Sequence, residues 1–227
     1  EEWTMLIRDW MTTDVITATP EMSMLKVSKM MKEYDIRRVP VVDAQNKVVG
    51  IVSDRDVKDA SPSKATTLDM HELYYLLSEI KVRDIMTPDP VTVEVRDTVE
   101  RVALLMEERV IGGLPVVDDE GSLVGIITDH DIFKVLVQIT GVRHGGVQVA
   151  LAVEDLPGVM RPIFDLLREY DASLISMLSS DSKRGGNWRE VFLRIRPMER
   201  AEENRLVEAL RERFDLLYWV REKVHEA

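Results

Sequence analysis

Residues Asp9 to Val57 recur as Asp84 to Ile132 at a constant offset of 75 positions, without a gap. Of the 49 aligned pairs, 18 are identical, among them Asp9/Asp84, Met11/Met86, Thr12/Thr87, Ile36/Ile111 and Gly50/Gly125. Pro40-Val41-Val42-Asp43 likewise returns as Pro115-Val116-Val117-Asp118. A fixed period of this length means one supersecondary unit used twice, and any fold for this chain must satisfy both copies at once.

Each copy reads the same way. A short extended piece (Val15 to Thr17, or Val91 to Val93) leads into an amphipathic helix. Met24, Val27, Met30, Met31 and Tyr34 fall at helical spacing in the first copy, and Val99, Val102, Leu105 and Met106 in the second. An apolar strand follows, Val39 to Val42 or Leu114 to Val117, then a polar turn, Ala44-Gln45-Asn46 or Asp119-Glu120-Gly121. A second strand, Lys47 to Val52 or Ser122 to Ile127, ends at Ser53 or Thr128. Asp54 and Asp129 suit the N-cap of the next helix. One unit alone leaves too much apolar surface uncovered, so the two are expected to pack with approximate two-fold symmetry. Between them, Ser61-Pro62-Ser63 reads as a loop, and Leu68 to Ile80 as a docking helix carrying Leu73, Leu76, Leu77 and Ile80.

After Val137 the pattern changes, with Gly141 and Gly145-Gly146 marking a boundary. The remainder reads as strand (147 to 153), helix (159 to 170), strand (172 to 179), polar hairpin (181 to 187), strand (189 to 196), helix (201 to 214) and strand (215 to 220). That βαββαβ order is the ferredoxin-like arrangement. The expected division is repeat 1 over 1–60, linker and docking helix over 61–82, repeat 2 over 83–140 and a C-terminal domain over 146–224.

Composition narrows the function classes. A formal net charge of −11 argues against nucleic acid as a partner, because displacing condensed counterions needs a positive surface. The chain has no cysteine, which removes disulfides and thiolate chemistry. No apolar run approaches the roughly 20 residues of a membrane helix, and no signal-peptide pattern opens the chain, so a cytoplasmic protein without membrane contact is expected.

The Asp-x-Met-Thr starts, the Val/Leu-Pro-Val-Val-Asp strands and the Gly-Ile-(Val/Ile)-(Ser/Thr)-x-x-Asp endings resemble a pair of CBS domains, together a Bateman module, over about residues 5 to 140. The C-terminal unit, with Asp155-x-Pro157-Gly158 between its first strand and helix, resembles an ACT domain. The order of the three, with the Ser-Pro-Ser-Lys-Ala-Thr-Thr-Leu linker and the His-Glu-Leu-Tyr-Tyr-Leu-Leu segment, is similar to the acetoin-utilisation accessory (AcuB-like) proteins. The implied fold is α/β: a CBS pair plus a ferredoxin-like domain. The implied role is regulatory and non-catalytic, with an adenine nucleotide or adenosyl ligand (AMP, ADP, ATP or S-adenosylmethionine) as effector rather than cofactor. A homodimer or higher homo-oligomer is the default expectation, with a regulated enzyme as a further partner.

That resemblance gives the repeated residues candidate roles. Asp56 and Asp131 are carboxylates able to accept from ribose hydroxyls, as acidic residues do in dinucleotide sites. Ser53 and Thr128 stand at strand-to-helix turns, where a hydroxyl and helix amides can hold phosphate oxygens. Backbone near Val39 and Leu114 would meet the adenine edge, with Ile16 and Val91 as apolar walls; Thr12 and Thr87 come from the lead-in segments. Arg37, Arg38 and Arg55 would favour a phosphorylated ligand in the first cleft. The second cleft, with Gly112, Gly113 and His130 at those positions, would be roomier and less charged. The competing reading is that the Asp and hydroxyl residues are only helix caps. In the C-terminal domain Asp155 and Gly158 are the candidate effector residues, against a pure dimerisation module. The 12 Met are read as core filler, the four His as too scattered for a metal site, and no catalytic constellation is found.

Overall fold

The computed structural model describes residues 4–61, 75 and 78–223. The chain divides into two compact units, Glu1–Phe133 and Lys134–Ala227. Apart from Tyr75 and residues 78–80, the docking helix read over 68–80 lies outside the described residues.

In the first unit each repeat has the same parts. Repeat 1 contains α1 (Met24–Glu33), β1 (Arg38–Val42), β2 (Val48–Ser53) and α2 (Asp54–Asp59). A short helix α3 (Val82–Ile85) and strand β3 (Thr87–Pro88) open repeat 2. It continues with β4 (Val93–Glu94), α4 (Val99–Arg109), β5 (Gly113–Val117) and β6 (Leu123–Thr128), and ends in the first turn of α5 (Asp129–Thr140), a helix that runs across the boundary at Phe133 and Lys134. The extended pieces read at 15–17 and 91–93 reduce to a parallel bridge of Ala18 to Val41 and the two-residue β4 beside β5. Of the five positions its apolar periodicity marks, helix α1 buries Met24, Val27 and Met31 against Val39, Val41 and Val52 of the sheet; Met30 is half-buried, and Tyr34, the C-cap after the last helical turn, is exposed.

The repeats complete each other by exchanging their lead-in segments. β3, which precedes repeat 2, joins the sheet of repeat 1 with Thr87 opposite Ile51, and Thr12 of repeat 1 bridges Ile126 in β6. Further out, Ser23 bridges Lys81 and Leu6 bridges Thr98. Each pair maps onto the other by the offset of 75, and Lys47 meets Ser122, its own counterpart. These contacts define a two-fold pseudo-axis passing near Lys47 and Ser122. The repeated glycines explain part of the exchange. A Cβ on Gly50 would stand 2.4 Å from Met86 Sδ, and one on Gly125 2.4 Å from Met11 Sδ. Each Gly therefore leaves room for the methionine of the other copy's Asp-x-Met-Thr segment.

The second unit has β7 (Gly146–Glu154), α6 (Met160–Glu169), β8 (Leu174–Asp181), β9 (Trp188–Ile195), α7 (Arg200–Arg213) and β10 (Asp215–Glu222). Its antiparallel sheet has the order β10-β7-β9-β8, the ferredoxin-like topology. Alternate residues Val147, Val149, Leu151 and Val153 of β7, with Val191, Leu193 and Ile195 of β9, form the core with Ile163, Leu166, Leu206 and Leu210 of the helices. Gly146 opens β7 at φ +90°, and a Cβ there would meet Ile195 O at 2.0 Å, so no other residue fits. Glu203 is buried in α7 and ion-paired to Arg221 of β10, whose Nε donates to Glu203 Oε2 at 2.6 Å.

Candidate functional site

The repeated strand endings build two equivalent corners. Ser53, not Asp54, is the N-cap of α2: its backbone is extended, and Asp54 is already the first helical residue. Ser53 Oγ accepts from Asp56 N at 3.3 Å, while Asp56 Oδ2 accepts from Ser53 N and Ser53 Oγ, both at 2.7 Å. In repeat 2, Thr128 Oγ1 accepts from Asp131 N at 3.4 Å, and Asp131 Oδ2 accepts from Thr128 N at 3.0 Å and Thr128 Oγ1 at 2.7 Å. Both are reciprocal capping boxes with Asp in the third helical position. Ser and Asp are equally good caps by type, so backbone dihedrals decide which one serves. Hydroxyl and carboxylate thus meet within hydrogen-bond reach at each corner, and one carboxylate oxygen is committed to the cap. The corners differ in access: Asp56 is half-buried, whereas Asp131 is 4% exposed.

The segment exchange decides which candidates stand together. Thr87 lies opposite Ile51, two residues before Ser53, so it belongs beside the first corner; Thr12 bridges Ile126 and belongs beside the second. The side chains of Val39 and Leu114 are fully buried, which leaves their backbone for a ligand. Ile16 is half-buried and Val91 exposed. Arg55 and His130 are exposed, each on the second residue of its helix.

Arg38 behaves differently from the expectation for its repeat. A Cβ on Gly113 would stand 2.9 Å from Arg38 Cδ; one on Gly112 would stand 2.4 Å from Arg38 Nη2 and 2.6 Å from Asp129 Oδ2. The room expected at the two glycines is therefore filled by Arg38 of the first repeat. The reason is symmetry: Arg38 and Gly113 are counterparts, and counterparts near a two-fold axis face each other, so only one can carry a long side chain. Across the same region Arg37 O accepts from Asp54 N at 2.9 Å, and Gly112 O from Asp129 N at 3.1 Å. The Lys58 ammonium, bonded to Asp54 Oδ2 at 2.7 Å, holds the Asp54 carboxyl below the usual carboxylate range, with Arg37 and Arg38 adding to the effect. Asp54 and Asp129, expected from the sequence to be N-caps, instead stand first in their helices, beside the repeated corner in both copies.

In the second unit Asp155 is engaged. Arg189 Nε and Nη2 donate to its two carboxylate oxygens at 3.0 and 3.1 Å, and this fork holds the Asp155 carboxyl below its usual range. Gly158 takes φ +83° with open space around it. The first turn of α6 has little to offer an anion, since Arg161 N is bonded to Gly158 O at 3.0 Å and Pro162 has no N–H.

The family model of the CBS domain matches this chain twice, over residues 7–63 and 82–138. The chain belongs to the CBS-domain family. Its first unit is a tandem CBS pair, and the structure is similar to that of an acetoin utilization protein (AcuB) from Vibrio cholerae. The two share 30% identity and a TM-score of 0.51, over 62% of this chain and 96% of that one. It is also similar to CBSX2 solved in complex with AMP, with 31% identity and a TM-score of 0.50 over 60% of this chain and 98% of that one. Enzymes carry the same module: an inosine-5'-monophosphate dehydrogenase of Methanocaldococcus jannaschii is 40% identical over 122 residues. That stretch is 53% of this chain but only 21% of the enzyme. CBS pairs thus occur both as nearly whole chains and as small parts of enzymes. Among the described residues no helix is long and apolar enough to cross a membrane.

Proposed function

We propose that this chain is a non-catalytic regulatory sensor whose CBS pair binds an adenine nucleotide or adenosyl ligand at the two strand-to-helix corners. The observation that carries this reading is the pairing of hydroxyl and carboxylate in both copies, Ser53 with Asp56 and Thr128 with Asp131. It is supported by the AMP complex of the similar CBSX2. At the first corner the ligand meets Ser53, Asp56, Thr87 and the backbone at Val39, with Arg37 and Arg55 at hand for phosphate. The second corner offers Thr128, Asp131, Thr12, His130 and the backbone at Leu114. Ile16 and Val91 flank the base. Ligand binding changes the packing of the pair, and the ferredoxin-like, ACT-like unit relays this through a homodimer or a regulated enzyme in the cytoplasm. In this reading repeat 1 spans residues 1–60 and repeat 2 residues 83–140, joined by 61–82, and the ACT-like domain spans 146–224.

A second reading has its own observation. Each hydroxyl and carboxylate already satisfies the other as a capping box, which is all a structural adaptor with vestigial clefts would need. In the ACT-like unit the Asp155–Arg189 fork favours a structural or dimerisation role over effector binding at Asp155 and Gly158. Mass spectrometry of small molecules released by denaturing the purified full chain separates the two. An adenosyl compound in stoichiometric amount supports the sensor; none, together with no binding of added AMP or S-adenosylmethionine, supports the adaptor.

A further inference from the structure

Arg38 belongs to the first repeat but lies against the second. Its stem crosses Gly113 and its guanidinium shares the space beside Gly112 with Asp129 Oδ2. Its own backbone pairs with Ser53 across β1 and β2, next to Asp54 at the start of α2. One arginine therefore links the two corners, its backbone beside the first and its guanidinium beside the second, and the helix at each corner begins with an aspartate, Asp54 or Asp129. The second repeat supplies no permanent cation at the equivalent positions, where Gly112, Gly113 and His130 replace Arg37, Arg38 and Arg55. A phosphate at either corner brings negative charge beside an aspartate, and Arg38 is placed to offset it at one corner at a time.

We propose that Arg38 is a single phosphate anchor shared by the two clefts, so that a phosphorylated adenosyl ligand in one weakens the binding of a second in the other. The proposal rests on the adenosyl reading above and adds a regulatory property to it. Occupancy by nucleoside phosphates becomes antagonistic, and the cleft that loses Arg38 favours a ligand without phosphate. The glycines are part of the device. A side chain at 113 would push the Arg38 stem aside, and Gly113 has ordinary backbone dihedrals, so its lack of a Cβ is what matters.

The test is calorimetric titration of the full chain with AMP and with adenosine in two single-cleft backgrounds, Asp56→Asn and Asp131→Asn. Each keeps an acceptor for its cap but removes the charge. The expected result is that adding Arg38→Ala weakens AMP about tenfold in both backgrounds, the loss of a charge-assisted contact, with adenosine unaffected. In the wild type the second AMP binds about tenfold more weakly than the AMP in either single-cleft variant. Arg38→Lys retains part of the effect. Should Arg38→Ala disturb folding, Gly113→Ala displaces the Arg38 stem while leaving both capping boxes intact, and is expected to weaken AMP at the second cleft. Sensitivity to Arg38 in only one background, or in neither, overturns the sharing while leaving the adenosyl reading in place. Failure of both AMP and adenosine to bind any variant or the wild type overturns that reading, and this proposal with it.

Discussion

The exchange of lead-in segments makes a sharp prediction at Gly125. An alanine there puts a carbon 2.4 Å from Met11 Sδ, 3.0 Å from Met11 Cγ and 3.2 Å from Thr12 O. Unstrained contact between such atoms is roughly 3.5–4.0 Å, so the sulfur must withdraw by about 1 Å, and the bridge of Thr12 to Ile126 limits how far the segment can follow. Overpacking of this kind costs about 1–3 kcal/mol. Shortening Met11 to alanine removes the obstacle, so Gly125→Ala should cost much less in a Met11→Ala background, giving a coupling of about 1 kcal/mol or more. The same cycle with Gly50 and Met86 should give a similar value. Hydrogen exchange along a urea series, read on peptides covering residues 48–53 and 123–128, follows this unit separately from the second. A cost for Gly125→Ala below about 0.5 kcal/mol, or strict additivity with Met11→Ala, would refute the exchanged packing.

Three further outcomes follow from individual residues. Arg221→Ala leaves the carboxylate of Glu203, 2% exposed, without its guanidinium and should destabilise the second unit by roughly 3–5 kcal/mol in urea titration; Glu203→Leu with Arg221→Leu should recover most of that loss. Val110 caps α4 in the left-handed region at φ 55°, ψ 43° and is 91% exposed, whereas its counterpart is Asp35 at φ 51°. Val110→Asn should therefore raise the melting temperature, by the equivalent of about 1 kcal/mol. The Asp155 carboxyl should titrate in NMR below its ordinary value of about 3.9. A pKa lowered on folding means that the Asp155–Arg189 pair stabilises the fold fully at neutral pH and loses this as pH falls through the lowered value. Arg189→Ala should return the titration to the ordinary range.

Much of the architecture is legible in the chain. The offset of 75 shows two like units, helical spacing includes the buried Met24, Val27 and Met31 but also the exposed Tyr34, and the apolar run from Val147 to Val153 is a strand buried on both faces. Element ends move by one or two residues because fraying and caps set them. At Ser53 and Asp54, for example, two good caps stand side by side and only the backbone chooses. The partners of the lead-in segments were not legible. Met11, Met86, Gly50 and Gly125 all recur, but a repeat cannot say whether each Met meets its own Gly or the other copy's. The same limit hid Arg38. In sequence it reads as the charge of the first cleft; in space the pseudo-axis sets it against its counterpart, Gly113. Asp155 found a partner in Arg189, 34 residues away, through the pairing of β7 with β9, which no local motif records.

The central claim is that the two capping corners hold an adenosyl ligand. Equilibrium dialysis of radiolabelled AMP against the full chain tests it most directly, comparing wild type with Asp56→Asn/Asp131→Asn after circular dichroism has shown both folded. Saturable binding to the wild type, displaced by unlabelled adenosine and weakened at least tenfold in the double variant, is the predicted result. Binding unchanged in the double variant, or no saturable binding of AMP to the wild type, would contradict it.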